Sequence, residues 1–350
     1  MADCDIIIPV WNKLDLTRRC LDSIYSSTSG SFGLILVDNG SSGDTNDFLK
    51  DFRSSRGNVV LIENKENLGL VKAVNQALKA STRPYVCVMN NDTIVRTEGW
   101  LNYMIDVAKM SEDIGLVNPY FEAKKSPSAD GSFTEIDFCR GYCVLIKRVV
   151  LDSVGLWDEG YGIGYFDDHD YSIRAIRAGF RYVRANNVVV EHIGDSTFSA
   201  VFTDASRKAL YYGNKRYFRL KWGMRLNVVV IVTAKDRKEA LQGILLALAR
   251  RQHIVYLWTL SGDLGLRHIN IRQISFLPFF HGPIFRLLIF LNRMKKDAKK
   301  YHLVFTDDAS LGSVKAWKGV HVVDFDRDGA AILERADSVS KEISRCCATL

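Results

Sequence analysis

The residues best placed to do chemistry in this sequence are two carboxylates that directly follow apolar runs. Asp92 lies in YVCVMNNDT (residues 85–93), and Asp38 lies in LILVDNGS (residues 34–41). Apolar runs with β-branched residues are typical of strands buried on both faces of an α/β sheet, and such sheets bind ligands beyond the carboxyl ends of their strands. Asp92 is therefore expected to face a ligand or a metal ion. A strand-ending turn capped by Asn and Asp is the alternative for this segment alone.

The elements around these carboxylates alternate as they do in a parallel sheet. A third apolar run, DIIIPVWN (residues 5–12), is followed by LDLTRRCLDSIY, whose apolar residues form a helical stripe, and then by the run that contains Asp38. A strand, a helix and a strand in this order indicate a parallel pair. The runs VVLIEN and LVKAVNQALKA repeat the alternation before Asp92. The N-terminal half is therefore predicted to have an α/β fold.

A third group of carboxylates lies in YFDDHDYSIRAIRAG (residues 165–179), which is predicted to form a short helix. Asp167, Asp168 and Asp170 crowd its first turn, where the helix dipole alone favours acidic residues, so that one of them is expected to be an ordinary cap. Repulsion among the three opposes the dipole and can keep one carboxylate basic enough to accept a proton. Asp170 precedes Arg174 by four residues and is predicted to pair with it.

Seven segments, taken in order, resemble the family 2 glycosyltransferases of the GT-A fold: IIIPVWN, LILVDNGSS, NLGLVKAVNQAL, YVCVMNNDT, GYCVLIKR, YFDDHDYSIRAIRAGFRY and VVVEHIGDST. The resemblance covers roughly residues 3–225. It implies a Rossmann-like fold with a mostly parallel central sheet and helices on both faces. In that family the segment similar to YVCVMNNDT is a metal motif, D-x-D. Here only Asp92 keeps a carboxylate, as in rhamnosyl- and galactosyl-type members.

The resemblance also implies roles for individual residues. Asp92 and His192 would hold Mg²⁺ or Mn²⁺, a hard cation that neutralises the departing diphosphate; a hydrogen-bonded loop histidine is the alternative for His192. Asp38 is expected to contact the base or ribose, and the helix start at Asn67 and Gly69 is expected to offer free amides to the nucleotide. The full set of predicted donor-binding residues is Pro9, Trp11, Asn12, Asp38, Asn67, Gly69, Lys72, Asn91 and Asp92.

On the acceptor side the resemblance implies Arg140, Gly141 and Asp167. Asp168 is the implied base, which would take the proton from an acceptor hydroxyl as its oxygen attacks the anomeric carbon. One base without an evident nucleophile predicts inversion of configuration. The polar segment over residues 122–137 is the natural variable loop for substrate choice.

Composition predicts the setting. A chain of 350 residues with 47% hydrophobic residues can bury a large core. Two domains are expected, a catalytic domain over residues 1–225 and a non-catalytic accessory domain over residues 226–350. The 7 cysteines are scattered without zinc-site spacing, and the N-terminus has no charged-then-apolar leader, so a cytoplasmic protein is expected, with peripheral contact to the cytoplasmic face of a membrane as an option.

A net charge of +7 is modest, but residues 205–225 concentrate basic side chains without an acid. They are Arg207, Lys208, Lys215, Arg216, Arg219, Lys221 and Arg225, interleaved with aromatic residues. The segment could contact anionic lipid headgroups or a phosphate-linked lipid acceptor. The alternative is a closing helix whose aromatic residues pack on the sheet. Nucleic acid is disfavoured, because the aromatic residues follow helical spacing rather than forming a stacking platform.

Beyond residue 225 the alternation of strands and helices restarts. LNVVVIV, HIVYLWT, NIRQISFL, YHLVFTDD and VHVVDF read as strands of a second, smaller α/β domain, with helices such as KEALQGILLALARR between them. This part weakly resembles the N-terminal half of a GT-B glycosyltransferase. The run FLPFFHGPIFRLLIFL is too short and too broken by Pro and Gly to span a bilayer. Residues 284–300 could instead lie on a membrane, or pack on their own sheet.

The sequence thus predicts inverting sugar transfer from a UDP- or dTDP-linked donor to a hydroxyl of a glycan or polyprenyl-linked glycan, in cell-surface polysaccharide synthesis. Two other classes stay open. A nucleotidyltransferase would need a glycine-rich basic loop where this chain has PVWNKLD. A non-catalytic module that binds sugar nucleotides or membranes would keep Asp38 and tolerate the loss of Asp168.

Overall fold

The computed structural model describes residues 3–121, 132–194, 203–233, 238–260, 264–266, 268–276, 281–292, 300–307, 321–324 and 329–348. Most of the predicted variable loop and residues 293–299 of the second predicted membrane segment lie outside these ranges. The chain divides into two compact units, Met1–Lys215 and Arg216–Leu350. The boundary between the two units falls within one helix, Asp204–Trp222.

The first unit is built on a sheet that has nine strands among the described residues. They are β1 Cys4–Val10, β2 Gly33–Asn39, β3 Val59–Asn64, β4 Tyr85–Met89, β5 Thr93–Val95, β6 Ile114–Tyr120, β7 Phe133–Glu135, β8 Cys143–Lys147 and β9 Arg181–His192. The order is β3-β2-β1-β4-β8-β6-β9-β5, with β7 also paired to β9. Strands β1 to β4 are parallel to one another, and β6 is parallel to β9. Strand β8 runs antiparallel to both β4 and β6, and β5 and β7 run antiparallel to β9.

Helices cover this sheet because their apolar residues recur every three or four positions. They are α1 Leu14–Ser27, α2 Asp44–Ser54, α3 Leu70–Ala80, α4 Trp100–Lys109, α5 Arg148–Val154, α6 Asp167–Arg177 and α7 Asp204–Trp222, with a 3₁₀ turn at Glu159–Tyr161. In α1, for example, Thr17, Leu21 and Ile24 form one buried stripe. Every residue of β1 is buried, as its uninterrupted apolar run predicts. The predicted α/β class with a mostly parallel central sheet is confirmed.

The second unit contains a smaller sheet of parallel strands. They are β10 Asn227–Val232, β11 Ile254–Thr259, β12 Ile271–Ser275, β13 Leu303–Thr306 and β14 His321–Asp324, in the order β12-β11-β10-β13-β14. All five coincide with runs predicted to be strands. The helices of this unit are α8 Lys238–Arg250, α9 His281–Leu291 and α10 Gly329–Ala348. Among the described residues, no helix in either unit is long and apolar enough to cross a membrane.

Candidate active site

Asp92 and His192 are brought together by strand pairing. Strand β5 runs antiparallel to β9 with Thr93 opposite His192, so Asp92 is next to the imidazole. His192 Nε2 lies 3.3 Å from Asp92 Oδ1 and 3.4 Å from Asn90 Nδ2. The imidazole stacks on the Tyr142 ring at 5.1 Å between centroids and 15° between planes, which fixes its orientation. The carboxylate of Asp92 is almost fully buried, with 6% of the residue exposed.

This pair fits a hard divalent cation that is shared with a substrate. A carboxylate oxygen and an imidazole nitrogen converge, and both are donors that Mn²⁺ accepts. Within the described ranges, no three His, Cys, Asp or Glu side chains cluster closely enough to hold an ion between them. Mg²⁺ and Mn²⁺ at phosphate sites commonly take only one or two protein ligands, with phosphate oxygens and water supplying the rest. The donor set therefore suits an ion that binds together with a diphosphate.

Asn91, which was predicted to contact the donor, has a structural partner. Its side-chain amide donates to Thr17 Oγ1 at 3.0 Å, and the residue is 7% exposed. The hydrogen bond ties the end of β4 to α1. Asn90, which precedes it, is the residue whose amide faces His192.

The three carboxylates of α6 have different environments. Asp170 is 0% exposed, accepts from Arg174 Nε at 2.8 Å and from the Tyr161 hydroxyl at 3.3 Å, and so has the structural role that its spacing predicts. Asp167 is 5% exposed. Burial, together with the negative charge of Asp168, raises the pKa of Asp167 to about 8.

Asp168 is held by backbone amides at the edge of a cavity. Its Oδ2 accepts from Gly141 N at 3.1 Å, and its Oδ1 accepts from the amide of His169 at 2.8 Å. The carboxyl group in this helix whose pKa is raised is thus Asp167. Asp168 is the carboxylate that backbone N–H groups orient.

Asn118 is a site residue that the sequence reasoning missed. It is 1% exposed on β6, accepts from Arg140 N at 3.1 Å, and donates to Arg140 O at 2.9 Å. These bonds fix the backbone of Arg140 beside Gly141. The Arg140 guanidinium lies over the rings of Phe121 and Phe138, at 5.4 Å and 5.2 Å from their centroids. The signal was present in the sequence, because Asn118 interrupts the otherwise apolar run IGLVNPY.

A cavity of about 570 Å³ joins the acidic helix to the Asp92–His192 pair. Asp167, Asp168 and His192 line it together. The other lining residues are mostly aromatic or basic: Leu70, Asn90, Phe121, Phe138, Arg140, Gly141, Tyr142, Tyr165, Phe166, His169 and Tyr211. Within it the imidazole of His169 stacks on the Phe138 ring at 3.7 Å. This aromatic lining was also missed, because its members come from distant segments.

The remaining predicted donor residues do not line that cavity, and four of them lie at or just after the ends of β1 and β2. Asp38 is 1% exposed and accepts from Ser41 N at 2.8 Å and from Asn46 Nδ2 at 2.6 Å. Asn12 has a left-handed φ of 55°. Its backbone N–H donates to Ser41 Oγ at 2.9 Å, which links the residues after β1 to those after β2. Pro9 is buried within β1. Trp11 follows that strand and is partly buried.

The expectation of free amides at the start of α3 is wrong for three residues. Gly69 N donates to Asn67 Oδ1 at 2.9 Å, Leu68 N donates to Asn39 Oδ1 at 3.1 Å, and Val71 N donates to Gly162 O at 3.3 Å. The physical reason is that neighbouring amide side chains and a loop carbonyl already occupy these donors. Lys72, by contrast, is exposed on α3.

Comparison with known proteins identifies the first unit. Residues 5–152 match the family model described as glycosyl transferase family 2. The first unit is therefore similar to the family 2 glycosyltransferases. This glycosyltransferase is 26% identical over 191 residues to a PGL/p-HBAD biosynthesis glycosyltransferase of Mycobacterium tuberculosis, an alignment that covers 53% of this chain and 74% of the relative.

Two further proteins are similar to this chain, one in sequence and one in fold. A poly(ribitol-phosphate) beta-glucosyltransferase of Bacillus spizizenii is 25% identical over 261 residues, which are 71% of this chain and 39% of the relative. The mannosyltransferase PcManGT from Pyrobaculum calidifontis, solved with GDP-Man and Mn²⁺, superposes with a TM-score of 0.52 at 18% identity, covering 63% of this chain and 65% of that chain. The nucleotidyltransferase and the non-catalytic module are therefore not retained for this glycosyltransferase.

Proposed function

We propose that this glycosyltransferase transfers a hexose or deoxyhexose, with inversion, from a UDP- or dTDP-linked donor to a hydroxyl of a glycan or polyprenyl-linked glycan in cell-surface polysaccharide synthesis. The observation that carries the proposal is the shared cavity, which has Asp168 on one wall and His192, next to Asp92, on another. Glycosyl transfer needs these two functions, a base for the acceptor and a cationic site for the leaving diphosphate.

Asp92 and His192 would hold a divalent cation, which supplies positive charge to the departing diphosphate when it is bound. The stacking of His192 on Tyr142 and its contact with Asn90 Nδ2 keep its Nε2 directed at Asp92 before any ligand arrives. Because both groups are preorganised, little reorganisation is needed during the reaction.

Asp168 would accept the proton of the acceptor hydroxyl. With a pKa of about 8, Asp167 keeps its own proton at neutral pH. Asp168 is the more open member, and the amide of Gly141 directs it. A single carboxylate that acts as a base, without a second one placed as a nucleophile, gives direct displacement and inversion.

The aromatic lining suits a carbohydrate acceptor. Sugar rings present apolar C–H faces, which pack on side chains such as Phe138, Tyr165 and Tyr211. The Arg140 guanidinium adds a cation that can pair with the phosphate of a lipid-linked acceptor. Peripheral contact with a membrane, through residues 207–225 or 284–300, would bring such an acceptor within reach.

The proposal is tested by thermal unfolding with UDP-, dTDP- and GDP-sugars in the presence of Mn²⁺ or EDTA. A matching donor at 100 times its Kd should stabilise the protein by about 2.7 kcal/mol with Mn²⁺. Asp92→Ala should lose that stabilisation, whereas Asp106→Ala, an exposed substitution on α4, should keep it. If the wild type binds or turns over donors equally well in EDTA, the assignment of Asp92 and His192 to a cation fails.

A further inference from the structure

The backbone beside the proposed base is held by side chains rather than by a strand ladder. Residues 136–142 lie between β7 and β8, outside any helix or strand. Backbone N–H groups that are shielded from water need partners, and here no ladder supplies them. In residues 139–141, here called the 139–141 segment, the three amides donate to three side chains: Cys139 N to Ser172 Oγ at 2.8 Å, Arg140 N to Asn118 Oδ1 at 3.1 Å, and Gly141 N to Asp168 Oδ2 at 3.1 Å.

Ser172 joins this segment to the helix that carries Asp168. It is 0% exposed and lies in the second turn of α6. Its hydroxyl accepts from Cys139 N and donates to Asp168 O at 2.7 Å. Cys139 Sγ also donates to Asp168 O, at 3.4 Å. One buried hydroxyl therefore links the backbone of the segment to the backbone of residue 168.

Only one of the two hydrogen bonds of Ser172 is a local feature of the helix. A serine hydroxyl that bonds to the carbonyl four residues earlier is common in helices and needs no further role. The bond from Cys139 N differs, because it joins residues that are 33 positions apart and uses the acceptor capacity of the same oxygen. An alanine at position 172 would leave the buried Cys139 N–H without this acceptor.

The direction of the Asp168 carboxylate depends on where the segment lies. The side chain can rotate about two bonds, and Gly141 N holds one of its oxygens. Cys139 N, two residues before Gly141, is held by Ser172 of the same helix. Ser172 thus keeps the Gly141 amide where it can orient the carboxylate.

The 139–141 segment is also continuous with the other half of the site. Tyr142 follows it directly, stacks on His192, and accepts from Asn90 N through its carbonyl at 2.9 Å. Asn118, which holds Arg140, also donates to Cys143 O at 2.6 Å. A shift of the segment would therefore move the base relative to the Asp92–His192 pair.

We propose that Ser172 is a positioning residue for glycosyl transfer, which acts through the 139–141 segment to direct the Asp168 carboxylate at the acceptor hydroxyl. The inference rests on the proposed role of Asp168 as the base. Ser172 is fully buried and is not among the residues that line the cavity, so it acts through other residues. Its removal should lower kcat and leave donor affinity unchanged, because only the geometry of the reacting groups is altered.

The test compares Ser172→Ala with a matched control, Ser81→Ala. Ser81 is 5% exposed, and its hydroxyl donates to Asp5 Oδ2 at 2.7 Å and accepts from Arg148 Nη2 at 2.9 Å. It precedes β4 and so lies at the opposite end of that strand from Asn90. Each variant loses a buried hydroxyl with two hydrogen bonds, so both should unfold at a lower temperature than wild type.

Turnover separates the two variants. It is measured as release of the nucleoside diphosphate, with water as the acceptor, from the UDP- or dTDP-sugar that gives the largest thermal shift with Mn²⁺. Ser172→Ala should lower kcat by about 10- to 100-fold. It should keep the donor Kd that the thermal shift measures, and Ser81→Ala should keep both values. Hydrogen exchange of a peptide that contains residues 138–142 should become faster in Ser172→Ala only.

A double variant tests whether Ser172 acts through the base. Ser172→Ala should cause little further loss of kcat in an Asp168→Asn protein, because residues that act as a unit are not additive. Should Ser172→Ala fail to fold, Asn118→Ala, which releases Arg140 N from the same segment, takes its place with the same expectations.

The inference is overturned if Ser172→Ala and Ser81→Ala have the same kcat, or if the losses multiply in the double variant. Either result leaves the assignment of Asp168 intact, provided that Asp168→Asn alone lowers kcat. If Asp168→Asn keeps wild-type kcat, the proposed base fails and the inference fails with it.

Discussion

Asp167, Asp168 and Asp170 show how three adjacent carboxylates acquire different properties from their contacts. Asp170 pairs with Arg174, and Asp167 is buried beside the negative charge of Asp168. Asp168 lines the cavity and accepts hydrogen bonds from two backbone amides. The helix dipole acts on all three alike, so it cannot distinguish them. The three carboxylates are distinguished by their burial and their hydrogen bonds.

Asp168→Asn should reduce transfer by about 10² to 10⁴, or roughly 3 to 5 kcal/mol of barrier, because the amide cannot take up a proton. Unfolding temperature should change little, since Asn preserves the shape. The measurement is release of nucleotide diphosphate at saturating donor and acceptor. A variant that keeps more than about a tenth of wild-type transfer would remove Asp168 as the base.

Asp170→Asn should lower stability and spare transfer, which is the reverse of the result expected for Asp168→Asn. It breaks an ion pair in which the Asp170 side chain is fully buried and that of Arg174 is 19% exposed, so the free energy of unfolding should fall by about 3 kcal/mol. Transfer at temperatures where the variant is folded should be largely retained. Urea unfolding together with the same transfer assay distinguishes the two carboxylates; loss of transfer in a stable Asp170→Asn protein would contradict the structural role.

Asp167→Asn should change how stability depends on pH. The native carboxyl keeps its proton up to a pKa of about 8, whereas an unfolded Asp with an ordinary pKa of 3.8 has lost it. Between these values the native state binds more protons, so this group makes the free energy of unfolding fall as pH rises. The variant should therefore gain stability over wild type by on the order of 1 kcal/mol per pH unit, levelling off above pH of about 8.

Thermal unfolding of both proteins from about pH 5 to pH 8 measures that difference. A constant difference across the range would mean that Asp167 titrates as an ordinary surface carboxyl. An equal loss of transfer in the Asp167 and Asp168 variants would indicate a coupled pair, and the assignment of the base to one residue would be withdrawn.

At the scale of elements, the cavity depends on how the start of α3 meets the loop that precedes α6. Gly69 has φ 88° and ψ 159°, a conformation open essentially only to glycine. A Cβ on Gly69 would stand 3.0 Å from the Gly162 carbonyl oxygen, which also accepts from Val71 N. The two segments therefore touch through their backbones, and this contact leaves no space for a side chain.

Gly69→Ala should lower the free energy of unfolding by about 1 to 3 kcal/mol, because both the φ angle and the Gly162 carbonyl oppose a side chain. Gly213→Ala is a matched control, since it lies in α7 with no atom within 4 Å of the added Cβ. That control should be neutral or stabilised by up to about 1 kcal/mol. Equal effects of the two substitutions in urea unfolding would contradict the backbone contact.

At the scale of the whole molecule, hydrogen bonds attach α7 to the first unit. Asn214 Nδ2 donates to Tyr161 O at 2.9 Å and to Gly164 O at 2.6 Å, so this helix fixes the loop before α6. Tyr211 of the same helix lines the cavity. The predicted catalytic domain of residues 1–225 contains α7 entirely.

A protein of residues 1–225 should fold and use the same donors as the full chain. A shorter protein of residues 1–203 lacks α7 and should lose donor-dependent stabilisation and transfer, because Asn214 no longer holds the loop before α6. Thermal shift with donor and Mn²⁺, followed by a transfer assay, compares the two. Failure of a folded 1–225 protein to use any donor that the full chain uses would assign residues 226–350 a part in the reaction.

The alternation of apolar runs was enough to predict the fold class and the strands at whose ends the chemistry lies. Strands such as β1 and the helical stripe of α1 follow from local patterns, because burial on one or both faces imposes a period that is visible in the sequence. The pairing of Asp170 with Arg174 was predictable for the same reason, since helix geometry alone brings positions four apart together.

Only the tertiary structure decided the contacts between distant segments. The register of β5 with β9 puts His192 against Asp92, and the burial of Asp167 in α6 raises the pKa of its carboxyl. The anchoring of the Arg140 backbone by Asn118 is likewise absent from any local pattern. The physical reason is that burial and hydrogen-bond partners depend on which segments meet in space, and local periodicity carries no information about that.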